Sequence, residues 1–194
     1  MTQAAARLAA QPAALYHDNN GDLKISDTHQ STLDLAKTVG DRLSHRGWML
    51  VTAESCTGGW VGQAVTAVSG SSGWYERGYI TYSNTAKREM LGVQQATLDQ
   101  HGAVSPQTAQ EMAIGALNRS HAQISVSITG IAGPDGGTAT KPVGMVCFAW
   151  AIQDGSVQQE THYFSGDREA IRRQAVATAL QGLLQVLDHA TAIA

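Results

Sequence analysis

Short apolar runs alternate with amphipathic segments of helical period along most of this 194-residue chain. Such runs are typical of strands that are buried on both faces of a sheet. The predicted strands cover residues 48–53, 78–82, 124–129, 143–152 and 157–164. Asp154-Gly155 joins the last two as a hairpin, and predicted helices separate the others. We therefore expect an α/β fold, a three-layer α/β/α sandwich around a mixed, mostly parallel sheet.

Capping residues mark the starts of several predicted helices. Ser105-Pro106 is a strong start signal, because a capping serine precedes proline at the first helical position. Asn84 is the expected cap of a short helix that reaches Leu91, and Asp167 is the expected cap of the long final helix.

The first 26 residues differ from the rest of the chain. They contain Gln11-Pro12 and a polar cluster over residues 17–22, which are typical of a tail or linker, with room for a short helix over residues 2–10. Residues 27–194 contain no internal repeat and no linker. We expect a flexible N-terminal tail over residues 1–26 and one domain over residues 27–194.

Charge and hydropathy exclude several classes of partner. A net charge of −3 and a pI near 6.1 provide no basic field for sequence-independent nucleic-acid binding. No apolar run reaches the ~18 to 20 residues of a membrane span, and the Ala/Gln-rich N-terminus is a poor signal peptide. We expect a cytoplasmic protein that binds neither nucleic acid nor membrane.

Metal and cofactor chemistry is not indicated. Cys56 and Cys147 are too few for a disulfide framework or a thiolate zinc cage. The seven histidines are scattered without the spacing of metal ligands. The glycine-rich residues 129–137 lack the Gly-Lys-Ser/Thr ending of a phosphate-binding loop. We expect neither a metal nor a cofactor.

The segment Glu54-Ser55-Cys56-Thr57-Gly58-Gly59 follows a predicted strand and opens a predicted helix. Sites in open α/β sheets form beyond the carboxyl ends of strands, and a helix start offers backbone N–H groups to a phosphate or an oxyanion. Ser55 is therefore a candidate nucleophile. A simple helix cap at Ser55 or Thr57 explains the segment about as well. Cys56 is a second candidate, although a cysteine after a buried strand is more often a packing residue.

A serine nucleophile needs a base, and no histidine is well placed to supply one. Lys87 can serve if burial lowers its pKa toward ~7 to 8, with Tyr82 relaying a proton or orienting the lysine. A solvated surface lysine is the common alternative. The Tyr-x-x-x-Lys pair of short-chain reductases is a weak match, because four residues intervene here and no Gly-x-Gly-x-x-Gly follows the first strand.

Two further segments are candidate walls of a ligand site. The glycine-rich residues 129–137 leave a buried strand and can face a nucleotide, although an ordinary connection is the alternative. Arg168 lies in the first turn of the last helix, where a cation is unfavourable for the helix dipole, which indicates an anionic partner. Arg172 and Arg173 follow it, and a solvated helix face explains them equally well.

Taken together, these segments closely resemble the CinA C-terminal domain family over residues 32–187. The first 30 residues match nothing in that family. The resemblance rests on many matches in the same order, at residues 53–59, 70–72, 78–84, Lys87, 91–93, 102–105 and 129–137.

The stand-alone members of that family are nicotinamide-nucleotide amidases. The resemblance therefore implies hydrolysis of nicotinamide mononucleotide to nicotinic acid mononucleotide and ammonia, a salvage step in NAD metabolism. It implies Ser55 as the nucleophile, supported by Lys87 and Tyr82. It also implies oxyanion- or substrate-binding positions at Thr57, Gly58, Thr129, Gly130, Gly133 and Arg168.

Two other functions fit the same residues. One is an amidase of this class with another amide substrate, because no motif specifies a pyridine ring. The other is a binding module that recognises a pyridine nucleotide without turnover, although the joint presence of Ser55, Tyr82 and Lys87 favours chemistry. The apolar helices also fit a homodimer.

Overall fold

The computed structural model describes residues 14–17, 23–26 and 31–190 of the chain. The chain divides into two compact units, Met1–Ser31 and Thr32–Ala194.

The first unit contains two strands that sequence analysis missed. Strand β1 (Ala14–His17) pairs antiparallel with β2 (Leu23–Ser26). The sequence does carry a hairpin signal there, because Asn20-Gly21 lies in a polar stretch between Leu15-Tyr16 and the alternating apolar residues Leu23 and Ile25. The flexibility predicted for residues 1–26 stays a prediction, and the helix expected over residues 2–10 lies outside the described residues.

The second unit is an α/β sandwich. Its helices and strands are, in chain order, α1 (Thr32–Arg46), β3 (Leu50–Glu54), α2 (Trp60–Thr66), β4 (Tyr75–Ile80), α3 (Asn84–Leu91), α4 (Gln95–His101), α5 (Pro106–Asn118), β5 (Ile124–Gly130), β6 (Met145–Ile152), β7 (Val157–Tyr163) and α6 (Arg168–Ala190). A short 3₁₀ turn, Ser71–Gly73, precedes β4.

The five strands form one mixed sheet in the order β4-β3-β5-β6-β7. Strand β3 pairs parallel with β4 and β5, whereas β6 pairs antiparallel with β5 and β7. Four of the five strands therefore run in one direction, and only β6 is reversed. The predicted α/β sandwich with a mixed sheet is confirmed.

Helices cover both faces of the sheet because side chains alternate along each strand. On β5, Ile124, Val126 and Ile128 point into an apolar layer beneath α1, α2 and α6. Ser125 and Ser127 point to the opposite face, where their hydroxyls donate to backbone carbonyls of α5 at 2.9 and 2.6 Å. These short side chains bring α5 close to the sheet, and α3 and α4 pack in the same layer.

The helix starts agree with the sequence in two cases and differ in two. Ser105 and Asp167 each accept a backbone N–H of the helix that they precede, as predicted. Ser83 rather than Asn84 caps α3, because its hydroxyl accepts a helix N–H at 3.0 Å and Asn84 is already helical. Helix α4 was not predicted, since Leu98 is its only fully buried residue and its apolar pattern is weak.

The parallel neighbours β4, β3 and β5 bring three candidate segments to one edge of the sheet. Ser55 follows β3, Tyr82 follows β4, and Thr129 lies at the end of β5. The carboxyl ends of parallel strands therefore define the position of the candidate site.

Candidate active site

Ser55 continues the path of β3 for one residue beyond its end. Its backbone N–H donates to the carbonyl of Ile128 on β5 at 2.9 Å. The side chain is 9% exposed, so the hydroxyl is almost enclosed by protein. The hydrogen bond fixes the residue next to the ladder, and the following turn then begins at Cys56.

Lys87 contacts the Ser55 hydroxyl directly. Its Nζ lies 2.9 Å from Ser55 Oγ and donates to the backbone carbonyl of Thr81 at 2.8 Å. The residue is 1% exposed, although it is a lysine in the first turns of α3. The surface-lysine alternative is therefore wrong, because this ammonium group points inward to the end of the sheet.

Burial changes the acid–base behaviour of this lysine. It lowers the pKa of Lys87 to about 8, because desolvation disfavours the ammonium form. Among the described residues, no carboxylate forms an ion pair with Lys87. A neutral amine is therefore accessible near physiological pH, as a general base for Ser55 requires.

Cys56 is a poor alternative nucleophile. Its side chain is buried, and burial raises the pKa of its thiol to about 12. The thiolate, which is the nucleophilic form, is scarce at neutral pH under these conditions. The geometry favours Ser55 over its neighbour.

Glu54 fills the start of α2. Its carboxylate is buried and accepts the backbone N–H groups of Gly59, Val61 and Gly62 at 3.0, 3.1 and 2.8 Å. From the sequence, the start of this helix was expected to offer its N–H groups to a ligand. That expectation was wrong for these three groups, because a side chain of the chain itself already binds them.

The turn between β3 and α2 leaves other donors open. Gly58 donates its N–H to the Ser55 carbonyl at 3.1 Å, so this N–H is not open to an oxyanion, and substrate binding at Gly58 stays a prediction. Gly58 has φ 62° and Gly59 has φ 93°, a backbone region that glycine adopts without strain. Within residues 31–190, the Thr57 N–H has no hydrogen-bond acceptor, and the Cys56 N–H interacts only with the sulfur of its own side chain.

Tyr82 and Arg168 lie together at the rim of the site. Arg168 Nη2 donates to the Tyr82 hydroxyl and Nη1 donates to the Gly133 carbonyl, each at 2.8 Å. Tyr82 is 60% exposed and forms no hydrogen bond with Lys87. In this structure the backbone carbonyl of Thr81, and not Tyr82, holds the Lys87 ammonium. The support predicted from Tyr82, such as a proton relay, stays a prediction.

Thr129 and Gly130 shape the wall of the site from the end of β5. Thr129 is buried, and its hydroxyl donates to the Ala103 carbonyl at 2.7 Å. A Cβ on Gly130 would lie 2.9 Å from the Met145 carbonyl, so only glycine fits there. Gly130 is therefore required by the close approach of β5 to β6 at this point.

A cavity of about 220 Å³ opens beside the Ser55 hydroxyl. We refer to it as the site cavity. Six of the nine predicted site residues line it: Ser55, Lys87, Tyr82, Thr129, Gly130 and Arg168. Thr57 and Gly58 follow the lining residues Ser55 and Cys56 in the turn. Gly133 does not line the cavity, but its carbonyl accepts a hydrogen bond from the lining residue Arg168.

The described residues contain neither a membrane-spanning helix nor a cluster of metal ligands. No helix within them is long and apolar enough to cross a membrane. The same residues form no group of three or more His, Cys, Asp or Glu side chains that could hold a metal ion.

Sequence comparison places this site in a family. The chain matches the CinA C-terminal domain over residues 32–187. It belongs to the CinA C-terminal domain family. The resemblance found in the sequence is thereby confirmed.

Relatives within the CinA family have a stated activity. Two proteins named nicotinamide-nucleotide amidohydrolase PncC, from Escherichia coli (strain K12) and Pseudomonas putida, are 54% and 50% identical to this chain. The alignments cover 81% and 78% of this chain and 96% and 94% of the relatives. The crystal structure of the competence/damage inducible protein CihA from Agrobacterium tumefaciens is 47% identical, has a TM-score of 0.78, and covers 81% of this chain and 95% of that chain.

Two side chains of this CinA-family site were missed by sequence analysis. Arg172 donates from Nε to the Cys56 carbonyl at 3.1 Å and from Nη2 to the Thr57 carbonyl at 2.7 Å. Its spacing of four residues from Arg168 places both arginines on one face of α6, a signal that was available. Asn84, expected as a helix cap, lines the site cavity instead.

Proposed function

We propose that this protein is a nicotinamide-nucleotide amidohydrolase that converts nicotinamide mononucleotide to nicotinic acid mononucleotide and ammonia. The observation that carries the proposal is the buried contact of 2.9 Å between Lys87 Nζ and Ser55 Oγ. The named relatives, which align over nearly their full length, supply the substrate.

The first step activates the serine. Neutral Lys87 accepts the Ser55 hydroxyl proton while Oγ attacks the carboxamide carbon of the pyridine ring. A tetrahedral intermediate forms, and its oxyanion accepts hydrogen bonds from the backbone N–H groups of Cys56 and Thr57. One such donor contributes ~3 to 4 kcal/mol in comparable hydrolases.

The second step releases ammonia. The carbon–nitrogen bond breaks, the Lys87 ammonium donates its proton to the leaving nitrogen, and a nicotinoyl ester remains on Ser55. Neutral Lys87 then takes a proton from water, whose oxygen attacks the ester carbon. The ester bond breaks, Ser55 regains its proton, and one water has been consumed for each ammonia.

The size of the site cavity favours entry of only the reacting end of the substrate. Its volume of about 220 Å³ is smaller than the ~300 to 1,000 Å³ of most ligand pockets. The pyridine carboxamide lies inside, and the ribose and phosphate extend over the rim. Arg168 is at that rim and uses only two of its five N–H donors within residues 31–190, so it is the proposed phosphate partner.

The reaction also fits a place in metabolism. Its product, nicotinic acid mononucleotide, retains the ribose and phosphate and differs from the substrate only at the carboxamide. Adenylylation of this product gives a dinucleotide that still carries the ring carboxylate, and a further enzyme that amidates this carboxylate completes NAD. We therefore place the protein in pyridine-nucleotide salvage.

Ammonia release from nicotinamide mononucleotide, measured on purified protein without added metal, tests the proposal. Wild type and Cys56→Ala release ammonia, and Ser55→Ala loses the activity. Activity in Ser55→Ala, or its loss only in Cys56→Ala, overturns the nucleophile assignment. Tight binding of the nucleotide without turnover identifies a binding module, and turnover of other amides alone identifies a different amidase.

A further inference from the structure

Arg172 makes three contacts with the segment that follows the nucleophile. Its guanidinium donates to the carbonyls of Cys56 and Thr57 and lies 5.0 Å from the ring centre of Trp60. The side chain is half-buried and reaches across from the second turn of α6. One side chain thus fixes two successive carbonyls and the first residue of α2.

The planar peptide bond converts these contacts into a constraint on the N–H groups. In a trans peptide the carbonyl and the N–H point in opposite directions. The Cys56 carbonyl shares its peptide with the Thr57 N–H, so Arg172 fixes that N–H to point away from α6. The Thr57 carbonyl likewise shares its peptide with the Gly58 N–H, which donates to the Ser55 carbonyl.

Charge adds to the geometry. Arg172 forms no ion pair with any carboxylate in residues 31–190, so its positive charge is directed at the turn. Glu54 binds the N–H groups at the other end of the same turn. The turn is therefore fixed through its carbonyls on one side and through its N–H groups on the other.

We infer that Arg172 is a positioning residue that holds the Cys56–Thr57 peptide so that the Thr57 N–H donates to the oxyanion, an inference that rests on the proposed function. Without the guanidinium this peptide is free to rotate, and the donor is lost from the transition state. Arg168, one helical turn earlier, meets the substrate, whereas Arg172 acts only through the backbone.

Kinetics of Arg172→Ala and Arg172→Lys, with Arg173→Ala as the matched control on the next residue, test the inference. Both Arg172 variants lose about 10²-fold in kcat for nicotinamide mononucleotide, with little change in KM. The lysine variant does not restore kcat, because one ammonium group cannot donate to the Cys56 and Thr57 carbonyls in the geometry of the planar guanidinium. Arg173→Ala keeps wild-type kcat, since Arg173 is exposed. A kcat within twofold of wild type in Arg172→Ala overturns the inference.

Two more readouts separate positioning from loss of structure. The ascending limb of the pH profile stays at its wild-type position in both variants if the Ser55–Lys87 pair is intact, and a displaced limb contradicts a pure positioning role. Millimolar methylguanidinium restores part of the kcat of Arg172→Ala but not of Arg172→Lys. Absence of any rescue in a folded Arg172→Ala protein also counts against the inference.

A covalent probe distinguishes this inference from the proposed function. With pyridine-3-boronic acid, Ser55 Oγ adds to boron and its proton passes to Lys87, which leaves a tetrahedral boronate anion in place of the oxyanion. The inference predicts weaker binding to both Arg172 variants than to wild type, and equal binding overturns it. Failure of wild type to release ammonia from the nucleotide defeats the proposed function alone.

Discussion

At the scale of single residues, the proposed general base Lys87 controls when Ser55 can be activated, since only its neutral amine can accept a proton. Burial lowers the pKa of this lysine to about 8. We therefore expect kcat/KM for ammonia release to rise with pH and to level off above about 8. The measurement is a pH profile on wild type. Cys56→Ala should show the same limb, because the Cys56 thiol that it removes is protonated over this range. A flat profile, or a limb near the ~6.5 of an ordinary histidine, contradicts Lys87 as the base.

Arg168 offers a second test at the same scale. Replacing it with alanine removes a charged donor from the rim, so KM for nicotinamide mononucleotide should rise about 10- to 100-fold. The nicotinamide riboside, which lacks the phosphate, should be affected little. Tyr82→Phe is the matched control because it removes only the hydroxyl that accepts from Arg168. Equal losses on nucleotide and riboside would rule out a phosphate contact.

Residue types were easier to predict than residue contacts. Ser55 and Lys87 were predicted as a pair from chemistry, position and family resemblance, although 32 residues separate them. The partner of Tyr82 was not predictable, because α6 brings Arg168 to it from 86 residues away. The contacts of Arg172 were not predictable either, because they depend on which loop α6 crosses, although its spacing of four residues from Arg168 did indicate a shared helix face.

At the scale of elements, helix α2 follows the turn after Ser55, and the Glu54 carboxylate stabilises the start of this helix. Glu54→Gln replaces one acceptor oxygen by an NH₂ group, which cannot accept a buried backbone N–H. We expect a loss of about 2 to 4 kcal/mol in the free energy of unfolding, measured by urea denaturation. Glu89→Gln on the exposed face of α3 is the matched control and should change stability by less than ~0.5 kcal/mol. If Glu54→Gln destabilised the protein as little as Glu89→Gln, the backbone N–H groups at the start of α2 would have to find other acceptors.

Elements with a strong apolar period were predicted, and weak ones were not. Strands β5 and β6 are buried along nearly their whole length and stood out as apolar runs. Helix α4 buries one residue completely and therefore has no apolar stripe to detect. Glu54 was predicted to begin the turn after the strand. Its hydrogen bonds to backbone N–H groups at the start of α2 were not predicted, because sequence patterns do not show such contacts.

At the scale of the whole molecule, the order of the strands explains why one site forms. Parallel pairing of β3 with β4 and β5 brings three segments to one edge, where Lys87 of α3 and Arg168 of α6 reach the same cavity from opposite faces of the sheet. Alternation of strands and helices was enough to predict the layers. The homodimer expected from the apolar helices stays a prediction.

The same fold bears the cost of burying a lysine, and this cost has a defined pH dependence. Below pH 8 both folded and unfolded chains carry the Lys87 ammonium, so the full cost of its burial is present. Between about 8 and 10.5 the folded chain is neutral there while the unfolded chain is charged, so unfolding takes up a proton and stability rises with pH. Over this whole pH interval, the free energy of unfolding rises by about 3 kcal/mol.

Lys87→Met removes this dependence while filling a similar space. We expect the wild-type free energy of unfolding to increase relative to Lys87→Met by up to about 3 kcal/mol between pH 7 and 10 in urea denaturation. Lys37→Met, on the exposed face of α1, is the matched control and should run parallel to wild type, because that ammonium is solvated in both states. Parallel curves for wild type and Lys87→Met would show that the lysine ionises in the folded protein as it does in water. The general-base assignment would then lose its physical basis, since an amine with an ordinary pKa is almost fully protonated at neutral pH.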